Sequence, residues 1–135
     1  MFKGVLEEHG DIKIIGMDSI THVEKEDSGH LILSASHGGS SAGSYGLKYP
    51  FAAVFFNDAG VGKDNAGITA LTMLEEAGIA GGTYSHMTAR IGEARDSWEN
   101  GVISHVNQAA QKLGFRQGDS IKEALRRVAK AISKK

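Results

Sequence analysis

The sequence predicts an α/β domain, a small mixed or mostly parallel sheet with helices packed on it and glycine-rich loops at the carboxyl ends of its strands. Three observations lead there. Residues 30–36 (HLILSAS) and 51–56 (FAAVFF) are continuous apolar runs of strand length, the pattern of strands covered on both faces. A helical stretch over residues 66–77 follows the second run and precedes the short segment 79–85, which is the order of a βαβ unit. Eighteen glycines in 135 residues are about twice the usual ~7%, and many fall between Gly38 and Gly92, at the ends of these segments.

Taken in order, residues 12–15 and 19–23 read as short strands with Asp18 in the turn between them, a hairpin or edge region. The acidic residues Glu24, Glu26 and Asp27 then lead through Ser28 and Gly29 to the first central strand, 30–36. Residues 37–46 (HGGSSAGSYG) read as a polar loop before the only proline, Pro50, too long for a tight hairpin. The second central strand, 51–56, is followed by the helix 66–77, with Ile68, Leu71 and Leu74 on one stripe and Gly78 as its stop. Segment 79–85 is the returning strand despite Gly81 and Gly82, and 86–100 is a second irregular stretch.

From Gly101 the residues Val102, Ile103, Val106, Ala109, Ala110 and Leu113 recur at helical spacing before Gly114. In the last helix Ser120 with Glu123 matches a capping box, and Ile121, Ala124, Leu125, Val128, Ala129 and Ile132 form the apolar stripe. The predicted order is β-β-β-loop-β-α-β-loop-α-α. No internal repeat or linker divides residues 1–135, so one domain is expected.

Composition narrows the chemistry. A hydrophobic share of 41% and a charged share of 23% are those of an ordinary globular chain, which argues against disorder. Without cysteine, disulfides, thiolate catalysis and sulfur-ligated zinc are excluded, and any metal must use nitrogen and oxygen ligands. The net charge of -1 gives no overall attraction to nucleic acid or anionic lipid. The basic residues Arg116, Lys122, Arg126, Arg127, Lys130, Lys134 and Lys135 read as a solvated helix face. No apolar run approaches the ~20 residues that cross a bilayer, and the first ten residues lack a signal-peptide core, so a cytoplasmic location is expected.

In open α/β sheets ligands bind beyond the carboxyl ends of the strands. Three predicted strand ends terminate in polar pairs: Ser36 and His37, Asn57 and Asp58, Ser85 and His86. Were the strands parallel neighbours, two imidazoles and a carboxylate would meet in one crevice. His37, Asp58 and His86 are therefore the candidate catalytic residues. Ser36, Gly38, Gly39, Ser40, Asn57, Gly60, Gly62, Lys63, Ser85 and Arg90 are the candidate substrate contacts.

The segment from Asp58 to Lys63 invites comparison with a phosphate-binding loop, but Asn57 stands where the first glycine belongs and Asp64 follows Lys63 in place of Ser or Thr. ATP or GTP hydrolysis is not indicated. A weaker anion site remains, built from turn amides, Lys63 and the following helix start. His37, Gly38, Gly39 and Ser40 resemble a short oxyanion loop, although no Gly-x-Ser-x-Gly elbow accompanies them. Arg90 and Arg95 could clamp a carboxylate or phosphate. Ser104 and His105 fall inside the predicted helix, where His105 edges the apolar stripe as a packing residue. His37, Asp58, His86 and His105 lack the tight spacing of a metal motif, and no dinucleotide fingerprint occurs, so no cofactor is expected.

The expected function is a small-molecule enzyme, a hydrolase or lyase acting on a compact anionic or amide-containing metabolite by His/Asp acid-base catalysis. The alternative is a non-catalytic domain that binds an anionic metabolite. The expected partner is that small polar ligand, with neither membrane nor nucleic acid; a homo-oligomer is expected because a second subunit would cover the crevice.

Overall fold

A computed structural model describes residues 1–135. Six strands form one sheet in which spatial order equals chain order: β1 (Lys3–His9), β2 (Ile12–Met17), β3 (Leu31–His37), β4 (Ala53–Asn57), β5 (Ala80–Tyr84) and β6 (Ile103–Val106). The four central strands run parallel, and β1 and β6 are antiparallel edges. The chain is thus a mixed α/β sheet with helices on it: α1 (Ser40–Gly46), α2 (Thr69–Glu76), α3 (Ala94–Asn100), α4 (Gln108–Leu113) and α5 (Ile121–Ile132).

The continuous apolar runs have a simple cause. Alternation sends Leu31, Leu33, Ala53 and Phe55 to one face, where they join Trp98 of α3 and the apolar stripe of α5. It sends Ile32, Val54 and Phe56 to the other face, under Ala42 of α1 and Ala70 and Leu74 of α2. Both crossovers, α1 and α2, therefore lie on one face, as same-handed connections between successive parallel neighbours require.

Several sequence expectations change. Residues 19–23 are not a strand: Ser19 accepts a hydrogen bond from the Thr21 N–H and opens a single 3-10 turn, Ile20–His22. The hairpin partner of β2 is instead β1, whose bulge between Val5 and Glu7 breaks the alternation that marks a strand. The 37–46 loop contains a helix, α1, made of Ser, Gly, Ala and Tyr. Its existence depends on contact with α2, since a Cβ at Gly43 would lie 3.1 Å from Ala70 Cα and 2.6 Å from Met73 Sδ.

The irregular 86–100 stretch contains α3. The predicted helix 101–113 is a strand followed by a helix, β6 then α4. Asn107 divides them. Its Oδ1 accepts from Gly81 N and Ala110 N, and its amide donates to Leu71 O and Ile79 O, which ties the β6 end to β5 and caps α4. A helical period over six short residues could not reveal that tertiary tie. The 66–77 helix begins later than expected, at Thr69, after a kinked 3-10 segment Lys63–Ile68. Helix α5 has its expected span and apolar stripe and half of the expected capping box: Ser120 Oγ accepts from Glu123 N, but the Glu123 carboxylate turns to Arg126 instead of the Ser120 N–H.

Candidate active site

The parallel neighbours β3, β4 and β5 bring their carboxyl ends side by side, and with them the three polar pairs. His37 lies opposite Asn57 in register, and Asn57 opposite Tyr84. Two backbone bonds lace the ends together, Gly38 N to Asn57 O and Asp58 N to Tyr84 O, each 3.0 Å. Tyr84 itself is immobilised: its hydroxyl donates to Ser34 O at 2.7 Å and accepts from Ser97 Oγ at 2.8 Å, and burial pushes its phenol far above the usual range.

Asp58 and His86 form a contact pair. The Asp58 side chain is only 6% exposed and the His86 ring 48% exposed, with Nδ1 3.2 Å from Asp58 Oδ1. The same oxygen accepts from Gly60 N at 2.8 Å and from His86 N at 3.1 Å. Burial by itself raises the carboxyl pKa; the Gly60 and His86 hydrogen bonds and the neighbouring Ser104 hydroxyl outweigh it and hold Asp58 below the ordinary aspartate value. An ionised Asp58 only accepts, so Nδ1 carries the proton, and in neutral His86 the lone pair sits on Nε2. Gly60 makes room for this arrangement. A Cβ there would lie 3.2 Å from His86 Cε1, and its φ of +75° also favours glycine.

His37 stands apart from this pair. Its ring lies over Gly39, where a Cβ would be 2.8 Å from Nε2, and it lines a hollow with Ser36, Ser41, Ile20 and Tyr45. Asn57, Ala59, His86, Arg90, Ile91 and Glu93 line an adjoining hollow, and Ile91 stands between the two. The single crevice with two imidazoles thus becomes two neighbouring hollows, with one imidazole in each. The loop that divides them is pinned by Gly92 N to Ala35 O and by Asn57 Nδ2 to Ala89 O.

The remaining residues separate by hydrogen bonding. Ser36 Oγ accepts from Ile20 N, and Ser85 Oγ accepts from Met87 N in a local turn, so each hydroxyl has a structural partner. The oxyanion-loop reading loses the Gly38 amide, which is bonded to Asn57 O; Gly39 caps α1 with its backbone, and Ser40 is exposed on the first turn. The anion-loop reading loses its donors too. The N–H groups of Ala59, Gly60, Val61 and Gly62 are all bonded within the loop or to Asp58 and Asn57, and exposed Lys63 precedes α2 by six residues. Arg90 is 81% exposed and only loosely paired with Glu93 at 3.7 Å, and both residues line the His86 hollow.

Sequence reasoning missed Ser104, which β6 places beside Asp58 and 2.9 Å from Thr83 Oγ1. His105 lies on the same strand, paired with Thr83. Ile103, Ser104, His105 and Val106 do not alternate apolar and polar residues, so no local pattern marked them as a strand against the helical period. No group of three or more His, Asp or Glu side chains converges as a metal site, and no helix is long and apolar enough to cross a membrane. Comparison with known protein families, characterised proteins and solved structures finds no match.

Proposed function

We propose that the chain is a small-molecule enzyme, a hydrolase or lyase, in which His86 is the general base and acid and Asp58 orients it. One observation carries this reading: a buried, ionised carboxylate holds the Nδ1 side of a half-exposed imidazole at the carboxyl ends of adjacent parallel strands. Neutral His86 accepts a proton at Nε2 from water or from a substrate carbon or hydroxyl. Asp58 stabilises the imidazolium that results, and the proton returns from Nε2 to the leaving group. Arg90 supplies a positive charge at the same hollow for a carboxylate or phosphate. His37, on the far side of Ile91, contacts the part of the substrate away from the bond that changes.

Incubation with defined pools of carboxylates, amides and phosphate esters, followed by mass-spectrometric product analysis, tests the proposal. Product formation that disappears in His86→Gln and falls in Asp58→Asn, with both variants folded, is the expected result. His37→Ala is expected to raise KM more than it lowers kcat. A compound retained by the protein but chemically unchanged would identify a non-catalytic metabolite-binding domain, and turnover indifferent to His86→Gln would remove the mechanism.

A further inference from the structure

The hollow beside His37 is a second binding element with a different chemistry from the dyad's. It has a volume of about 280 Å³, roughly twice the ~150 Å³ of an apolar cavity that accepts benzene. It is lined by Ala35 of β3, Ala42 and Tyr45 of α1, Ile20 of the 3-10 turn, and Ile91, which it shares with the His86 hollow. Two of its polar neighbours are already satisfied: Ser36 Oγ by Ile20 N, and the Asp18 carboxylate by Phe2 N and Ala94 N. Such groups offer little to a polar ligand, so that apart from His37 and the Thr21 and Ser41 hydroxyls at its exposed edge the lining is apolar. Ile91 is 53% exposed, an apolar side chain held at the rim where it touches both hollows.

We infer that this hollow receives an apolar group of the same small molecule whose anionic end lies at His86 and Arg90, which makes the ligand class a short branched-aliphatic or aromatic carboxylic acid or a derivative of one. The inference rests on the dyad reading for the position of the anionic end. The apolar arm and the anion are then held on either side of Ile91, and the distance between the two hollows selects ligands by length. Exposed Ser41 of α1 and Thr21 of the 3-10 turn also line the hollow, so both can be enlarged without entering the core.

Acetate, butyrate and benzoate are suitable probes, followed by NMR at the His86 ring and at the methyl groups of Ile20, Ala42 and Ile91. All three are expected to shift His86, whereas only butyrate and benzoate shift the Ile20 and Ala42 methyls. Butyrate is expected to bind about tenfold tighter than acetate, from two buried methylenes. Ser41→Phe, and independently Thr21→Phe, should abolish that difference and leave acetate binding unchanged. Equal affinity for the three acids, or a chain-length gain that survives both folded variants, overturns the inference and leaves the dyad reading intact. Methyl shifts without any shift at His86 overturn the single-ligand arrangement, and the dyad reading is judged separately by turnover in His86→Gln.

Discussion

Asp18 and Asp58 are the same residue at the same topological position, the first beyond β2 and the first beyond β4, on parallel strands of one sheet. Their surroundings differ in one respect. Asp18 gives each oxygen to a backbone amide, Oδ2 to Phe2 N at 2.8 Å and Oδ1 to Ala94 N at 2.9 Å, and so joins β1 and the start of α3. Asp58 also accepts backbone amides but holds the Nδ1 side of an imidazole that is 48% exposed. For both, burial pushes the carboxyl up and hydrogen bonds bring it below the ordinary value, so titration alone does not tell a structural carboxylate from a chemical one. The distinction lies in whether the partner carries an atom that reaches a ligand.

The sharpest way to break that comparison is to neutralise each carboxylate. Asp58→Asn should lower turnover about 10²–10⁴-fold, the range for a misoriented catalytic histidine. Independently of substrate, the ¹⁵N shifts of His86 should move away from the Nδ1–H form. Asp18→Asn, at the edge of the His37 hollow, should lower turnover per folded molecule far less. Equal loss in both variants would mean that Asp58 acts only through the fold.

The reverse contrast appears in stability. Asp18→Ala removes two hydrogen bonds to a charged acceptor and should cost about 1–3 kcal/mol in urea unfolding, with faster amide exchange at Ala94 and Phe2. Stability within a few tenths of a kcal/mol of the wild type would show that Asp18 does not join β1 to α3.

How far the sequence foretold this arrangement depends on the range of the forces involved. The β3 and β4 runs and α5 were legible because each is set by its own apolar pattern, and the three polar pairs because strand ends follow from those runs. Helix α1 was hidden, since Gly43 and Gly46 disfavour a helix and only the close approach of α2 explains them. Strand β6 was hidden because its pairing with β5, and the four hydrogen bonds of Asn107, are long-range facts. Within the candidate site, Asp58 and His86 were named from position, but the division by Ile91 came from a loop bond, Gly92 N to Ala35 O, that no local pattern encodes.

A carboxylate far from both strand ends extends the comparison to pH. The Arg126 guanidinium grips Glu7 through two 2.9 Å bonds and lowers its pKa from 4.5 to about 2. A depressed folded-state value means that the stabilisation is complete above the unfolded value and is lost as pH falls from about 4.5 to about 2. Asp18 and Asp58 act with the same sign, so urea stability should decline from pH 5 to pH 2. Glu7→Gln should cost about 1 kcal/mol at pH 7, the upper end for a partly exposed ion pair, and flatten part of the acid decline. An unchanged acid profile would assign that decline to the other carboxylates held below their ordinary value, Asp11, Asp18, Asp58 and Asp96.

The smallest effect concerns the backbone that follows each aspartate. All four non-glycine residues with positive φ, namely Ala59, Val61, Asp64 and Asn65, lie in the loop after Asp58, and none follows Asp18 before β3. Val61, at φ +67°, is β-branched and gains least from that conformation, which costs an L-residue about 1–2 kcal/mol. Glycine removes the strain but adds about 0.5–1 kcal/mol of unfolded-state entropy, so Val61→Gly should stabilise the fold by at most about 1 kcal/mol in urea titration. The same change frees the loop that delivers the Gly60 N–H to Asp58, so turnover should fall several-fold while stability rises. A variant that loses stability would show that the loop is relaxed as it stands; one that gains stability with full activity would show that its strain has no part in holding the dyad.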